Sequence, residues 1–103
     1  MTETTIIVAG RVFVPPADVE TFLAEAQAIY PVAAANAGNV LMVFALEDAA
    51  TGSVTVLEQW ANQAALDAHL TVPQVQAIFA KWAPLWRNQV RKFDAARERD
   101  PRD

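Results

Sequence analysis

The sequence has no cysteine and only one histidine, His69, among its 103 residues. Without cysteine there is no disulfide framework, no thiolate nucleophile and no zinc–thiolate site, and one histidine excludes a two-histidine metal centre within a single chain. The three glycines, at positions 10, 38 and 52, are too far apart to form a dinucleotide-binding or phosphate-binding loop. We therefore expect no metal, haem or flavin cofactor.

Long apolar runs are also missing. The longest, from Val40 to Leu46, has seven residues and is too short to span a bilayer. The opening residues, 1–5, lack the basic start and apolar stretch of a secretory signal. Because 53% of residues are hydrophobic and 19% are charged, the composition is that of one packed domain. We expect a cytoplasmic protein with a single domain over residues 1–94 and a charged, fraying tail at 95–103.

Basic residues are scarce through most of the chain. Residues 1–80 contain one base, Arg11, against eight acids, whereas residues 81–103 contain seven bases and four acids. The later bases alternate with acids instead of forming the concentrated basic face that nucleic-acid binding requires. We expect neither nucleic-acid nor membrane partners.

The spacing of apolar residues predicts the order strand, helix, strand, strand, helix pair, strand. Proline at position 31 should kink or end the first helix, and Pro84 should end the last. This order is typical of a ferredoxin-like α+β fold, with one antiparallel four-stranded sheet and helices on one face. The predicted strands are 4–14, 40–46, 54–60 and 85–93, and the predicted helices begin near Pro16 or Asp18, after Asn62 and at Pro73.

The second strand is apolar on both faces. By alternation, Met42 and Phe44 point to one side while Leu41 and Val43 point to the other. Exposing large apolar side chains forfeits about 1.5–3 kcal/mol each, and the helices suffice to cover one face only. We therefore predict a homodimer formed through the open face of the sheet.

Two titratable residues are candidates for chemistry. Glu58 shares its strand face with Val56 and Trp60, and a carboxylate on an apolar face needs a partner. It is either a position at the sheet edge, an ion-pair partner of Arg87 or Arg91, or a functional group that orients His69 and raises its basicity. His69 is otherwise a surface or partly buried histidine without a task.

Aromatic residues form the second candidate group. At helix and strand spacing such residues usually form a core, but three tryptophans in a short chain could also wall a flat apolar pocket. The candidate pocket residues are Tyr30, Met42, Phe44, Phe79, Trp82 and Trp86, with Trp60 beside them.

The stretch from Val56 to Leu70, V-L-E-Q-W-A-N-Q-A-A-L-D-A-H-L, followed by Val72-Pro73, resembles the E-x-W…A-L…H segment of the antibiotic biosynthesis monooxygenase family. The resemblance covers roughly residues 4–94 and implies a dimeric α+β barrel. Members of that family include small quinol monooxygenases that use oxygen without metal or flavin, and its relatives include haem-degrading enzymes and many proteins of unknown role. In a quinol monooxygenase of this kind His69 would remove a phenolic proton, with Glu58 holding the imidazole and Trp60 stacking on the substrate ring.

The family pattern is matched only in part. Many members carry E-P-G-C before the second strand and a tyrosine shortly after it, where this sequence has residues 36–39 (N-A-G-N) and Met42. Haem-degrading relatives carry an asparagine on the first strand, which is absent from residues 9–11, so haem degradation is disfavoured. Two hypotheses remain: a cofactor-independent monooxygenase acting on an aromatic quinol or polyketide-like molecule, and a non-catalytic dimer that binds a small ligand or none.

Overall fold

Five strands and four α-helices lie between residues 5 and 95 of the computed structural model, which describes residues 3–103. Met1 and Thr2, part of the opening segment considered above for a secretory signal, lie outside the described residues. Within residues 3–103 none of the helices has the length and apolar character needed to cross a membrane. The strands are β1 (Thr5–Phe13), β2 (Asn39–Asp48), β3 (Ser53–Trp60), β4 (Arg87–Asn88) and β5 (Arg91–Ala95); the helices are α1 (Val19–Gln27), α2 (Tyr30–Ala34), α3 (Gln63–Leu70) and α4 (Pro73–Trp82).

The strands form one antiparallel sheet in the order β2-β3-β1-β4, with β5 also paired to β1. All the helices lie between β1 and β2 or between β3 and β4 in the chain. This is the split βαβ topology, so the prediction of a ferredoxin-like α+β fold is confirmed.

The last strand differs from its prediction as one element over 85–93. Its start is delayed because the backbone N–H groups of Leu85 and Trp86 both bond to the carbonyl of Trp82, which makes a turn there. It is then interrupted opposite Gly10. The φ of +145° at this position favours glycine, and a Cβ atom placed there would collide with the Gln89 carbonyl. The strand resumes as β5 and ends at Ala95, one residue past the predicted domain boundary.

The helix boundaries follow the expected signals. Helix α1 ends at Gln27 and α2 begins at Tyr30, so Pro31 occupies the first turn of a new helix, where its missing N–H costs no hydrogen bond. The Asn62 side chain caps α3 by accepting from the Ala65 N–H at 2.8 Å.

The sheet has a covered face and an open face. Strand pairing places Met42 beside Glu58 on the helix side, and therefore leaves Leu41 and Val43 on the other side, as the alternation of β2 predicts. On the open face Leu57 is 37% exposed and Phe93 is 55% exposed. Under the helices, two clusters of buried residues form the core: a large one (Val12, Val14, Val19, Phe22, Ala26, Val54, Val56, Trp82) and a small one (Ile6, Ala33, Trp60, Leu66).

Candidate functional site

A cavity of about 390 Å³ lies between the helix side of the sheet and the helices. This volume is in the range of small-molecule sites, and the walls are mostly aliphatic and aromatic. The lining includes the candidate functional residues Phe44, Glu58, His69, Phe79 and Trp86. Polar side chains are added by Gln63, Asp67, Asn88 and Lys92.

Glu58 is held on the cavity wall by the alternation of β3. It is 9% exposed, and its Oε1 accepts a hydrogen bond from Trp60 Nε1 at 3.0 Å. Burial raises the pKa of the Glu58 carboxyl, and the bond from Trp60 opposes that rise only in part. Within residues 3–103 no basic side chain forms an ion pair with Glu58, so neither Arg87 nor Arg91 fills that predicted role.

His69 lies one turn beyond Leu66 on α3 and is 5% exposed. Its ring centroid is 4.7 Å from that of Trp60, with the two planes tilted by 41°. The Nδ1 atom is buried and has no hydrogen-bond partner in the described part of the chain. Burial lowers the pKa of His69, so the ring is mainly neutral near pH 7. In a neutral imidazole one nitrogen carries no proton, and that nitrogen is able to accept one.

Glu58 and His69 share a cavity without pairing. The Glu58 carboxyl bonds to Trp60, and no hydrogen bond joins Glu58 to His69 among the described residues. The prediction that Glu58 raises the basicity of the imidazole is wrong in this geometry, because burial alone shifts the pKa of His69 and shifts it downward. Burial disfavours the charged form of each group.

Trp60 occupies a position behind the cavity wall. Its side chain is fully buried in the small cluster and is not part of the cavity surface. The predicted stacking of Trp60 on a substrate ring does not fit this placement. Trp60 instead contacts both Glu58 and His69, and so positions the two titratable groups.

Three of the predicted pocket residues do line the cavity. Phe44 contributes from β2, Phe79 from α4 and Trp86 from the turn after α4. The rings of Phe79 and Trp86 meet edge to face with centroids 5.4 Å apart, which gives a firm aromatic wall.

The other three predicted pocket residues lie behind that surface. Tyr30 stacks on Phe44 with ring centroids 5.9 Å apart and nearly parallel planes. Met42 packs against the small cluster, and Trp82 is buried in the large cluster beside Phe22. These residues support the wall and do not face the cavity.

The sequence reasoning missed the polar groups at one end of the cavity. Lys92 Nζ donates to Gln63 Oε1 at 2.9 Å, and Gln63 Nε2 donates to Asp67 Oδ1 at 2.7 Å. The i, i+4 spacing of Gln63 and Asp67 on α3 was a visible signal. The signal for Lys92 was weaker. Lys92 pairs with Val8 and therefore faces the helices, but this register depends on the interruption of the strand after β4.

An antiparallel sheet with helices on one face defines a ferredoxin-like α+β protein, and a mainly apolar cavity lies between its layers. The profile of the antibiotic biosynthesis monooxygenase family matches residues 5–81. The chain therefore belongs to the antibiotic biosynthesis monooxygenase family, as the E-x-W…H resemblance indicates. No curated protein matches the sequence significantly.

Several solved structures share the fold. A conserved protein of unknown function from Bacteroides thetaiotaomicron is 15% identical, with a TM-score of 0.77 over 92% of this chain and 100% of that one. A protein from Mycobacterium tuberculosis is 20% identical, with a TM-score of 0.74 over 96% and 99%. A Caulobacter crescentus protein, described as a "putative antibiotic biosynthesis monooxygenase", is 23% identical, with a TM-score of 0.73 over 93% of each chain. At these identities the likeness shows the fold alone.

Proposed function

We propose that the protein is a cofactor-independent monooxygenase that oxidises an aromatic quinol or polyketide-like molecule with O2. The observation that carries the proposal is the presence of His69 and Glu58, both buried, on the wall of a mainly apolar cavity, where burial disfavours the charged form of each. Family membership adds the expectation of oxygen chemistry.

The first step assigned to the protein is deprotonation of the substrate. An unprotonated nitrogen of His69 accepts a phenolic proton, and the orphaned Nδ1 shows that the ring has an unmet need for a partner. The resulting anion is electron-rich enough to reduce oxygen itself. Phe44, Phe79 and Trp86 give the cavity a mainly apolar wall, which in this proposal orients the anion and reduces its contact with water.

The overall reaction balances without another reductant. A dihydroxynaphthalene gains one oxygen atom and loses two hydrogen atoms, which yields a hydroxynaphthoquinone and one water from the second oxygen atom. The substrate thus supplies all four electrons that reduce O2. Glu58, favoured in its protonated form, is placed to donate a hydrogen bond to a substrate oxygen while Trp60 Nε1 holds its other carboxyl oxygen.

The working form in this proposal is a homodimer joined through the open face of the sheet. That face carries Leu41 and Leu57, each 37% exposed, and Phe93, which is 55% exposed. Burying such side chains in a dimer interface is favourable by roughly 25 cal/mol for each Å² of apolar surface removed from water.

Oxygen consumption with a panel of dihydroxynaphthalenes tests the proposal. Replacement His69→Ala should reduce the catalysed rate by about 10²–10⁴-fold, the usual loss for a general base, and Glu58→Gln should cost less. His69→Gln keeps the side chain volume closer to that of histidine and guards against a packing artefact. Gln76→Ala, on the exposed side of α4, is the matched control and should keep full activity.

Two results contradict the enzymatic proposal. One is a wild-type rate no faster than the uncatalysed oxidation across the panel. The other is full activity in both His69 variants. Ligand binding without turnover would instead support the alternative of a small-ligand-binding dimer, in which Glu58 and His69 shape the cavity only.

A further inference from the structure

The opening of the cavity is apolar on one side. Two residues of the cavity wall, Leu70 at the end of α3 and Phe79 on α4, are 41% and 45% exposed, so they reach from the cavity to the protein surface. The ring of Phe79 meets that of Trp86 inside the cavity, with the centroids 5.4 Å apart. Leu70 and Phe79, here called the apolar lip, are therefore continuous with the aromatic wall.

The polar side chains of the cavity lining bond to protein groups. Gln63 accepts from Lys92 Nζ at 2.9 Å and donates to Asp67 Oδ1 at 2.7 Å, so one amide bridges a cation and an anion whose charges balance. Asn88 bonds locally, because its Oδ1 accepts from the Val90 N–H at 2.8 Å. These groups thus already have hydrogen-bond partners in the absence of a ligand.

Helix α3 separates the bridging amide from the apolar lip. Gln63 and Leu70 are its first and last residues and both line the cavity. Seven residues at a rise of 1.5 Å each place them about 10 Å apart along the helix axis. This distance leaves room for a narrow aliphatic chain to cross the lip at Leu70 without covering the polar groups near Gln63.

The exposure of the lip has a cost that a ligand is able to remove. Single exposed apolar residues are ordinary, since much of any protein surface is apolar. Two at the opening of a mainly apolar cavity differ, because a ligand that fills the cavity ends beside them. An unsubstituted ring would leave both in water, whereas an aliphatic substituent would remove apolar surface from water on the ligand and on the protein together.

We propose that the ligand of the cavity carries an aliphatic side chain, which passes over the apolar lip while the aromatic ring system lies inside. The inference rests on the use of this cavity as the ligand site in the proposed function, and it adds a substituent to the aromatic molecule named there. Leu70 and Phe79 are then specificity-determining residues that favour alkylated over unsubstituted aromatic ligands.

The test compares three phenols: 2-naphthol, 6-pentyl-2-naphthol and 6-(2-methoxyethoxy)-2-naphthol. The two substituents are equal in length and differ in polarity. Binding to the full-length protein is followed under anaerobic conditions, which prevent turnover, by the fluorescence of the naphthol excited beyond the absorption band of tryptophan. The wild-type protein should bind the pentyl probe about 10- to 50-fold more tightly than either of the others, as half-burial of the chain implies.

Variants assign the preference to the lip. The quantity compared is the ratio of the Kd of 2-naphthol to that of the pentyl probe, because this ratio cancels an effect of the variant on binding of the ring system. Leu70→Ser and Phe79→Ser should each lower the ratio, and the double variant should bring it close to one. Leu85→Ser is the matched control, since Leu85 is an exposed leucine outside the cavity lining, and it should retain the wild-type ratio.

The outcomes separate this inference from the proposed function. Wild-type protein that binds all three phenols equally, or that binds the ether as tightly as the pentyl probe, would overturn the apolar-lip inference and leave the cavity in place. A pentyl preference that survives in the double variant would also overturn it. Failure of all three phenols to bind would contradict the use of the cavity as a ligand site, and with it the proposed function.

Discussion

Replacing Glu58 with glutamine should stabilise the protein at neutral pH. The carboxyl is 9% exposed and has one hydrogen-bond donor, Trp60 Nε1, so its ionised form is poorly solvated. Glutamine is nearly isosteric and keeps an oxygen to accept that bond. It carries no charge, and therefore removes the cost of ionising a buried group.

The sign of the pH dependence follows from the raised pKa. In the unfolded chain Glu58 titrates near its ordinary value of 4.5, and in the folded protein it titrates above that value. Below pH 4.5 the carboxyl is protonated in both states and imposes no penalty. As pH rises from 4.5 through the folded-state pKa, the wild-type protein loses stability that the Glu58→Gln variant keeps.

The scale of the effect is measurable. Each unit by which folding raises a pKa corresponds to about 1.4 kcal/mol, and for a domain of this size 1 kcal/mol shifts the melting temperature by about 4–8 °C. Thermal melts followed by circular dichroism at fixed protein concentration should show Glu58→Gln melting several degrees above wild type at pH 8. The two proteins should converge near pH 4.

Glu25 is the matched control with the opposite sign. The pKa of Glu25 is lowered, chiefly by the hydrogen bond from Lys81, whose Nζ lies 2.7 Å from the carboxylate. Glu25→Gln should therefore lower the melting temperature at pH 8, with the loss shrinking as pH falls below 4.5. A Glu58→Gln variant that melts below wild type at pH 8, or whose shift is the same at pH 8 and pH 4, would refute the reasoning.

Three further outcomes are expected. Leu57→Asp should shift the mass measured by light scattering from about twice the chain mass to that of one chain. The control Leu85→Asp, the same change at a turn residue that is 53% exposed, should leave the mass unchanged. A wild-type monomer would contradict the dimer. The acid limb of the pH–rate profile should lie below pH 6.5, because burial lowers the pKa of His69, and an acid limb above 6.5 would argue against this base. The purified protein should be colourless, and a visible absorption band or stoichiometric metal by elemental analysis would contradict the expectation of no cofactor.

Local signals were sufficient to predict most of the fold. Alternation in β3, the Asn62 cap and the prolines at 31, 73 and 84 each act within a few residues, and the structure places a helix or strand boundary at or near each of them. The last strand was predicted less well, because its interruption depends on Gly10, a residue some 80 positions away in the chain. A contact of that separation leaves no periodic mark in the sequence of the strand itself.

The sequence predicted the placement of Glu58 and His69 in the site but not the contacts that each side chain makes. Alternation brought Glu58 to the helix side, and helix spacing brought His69 to the same side as Leu66. Which atoms form hydrogen bonds depends on side-chain packing that the spacing of residues does not determine. Trp60 Nε1 donates to the Glu58 carboxyl, and no hydrogen bond joins that carboxyl to His69 among the described residues. For the same reason, sequence patterns could not separate Phe44, on the cavity surface, from Tyr30 directly behind it.

The contact between Tyr30 and Phe44 has a consequence for association between chains. Strand β2 is an outer strand of the sheet, and such a strand normally offers its free backbone groups to any other strand. Here the Tyr30 hydroxyl accepts from the Phe44 N–H at 2.8 Å and donates to the Phe44 carbonyl at 3.1 Å, and Gln27 Nε2 donates to that carbonyl at 3.0 Å. The middle of this edge is therefore already paired by side chains. Growth of the sheet from chain to chain along this edge, the first step toward fibrous aggregation, is blocked at its centre.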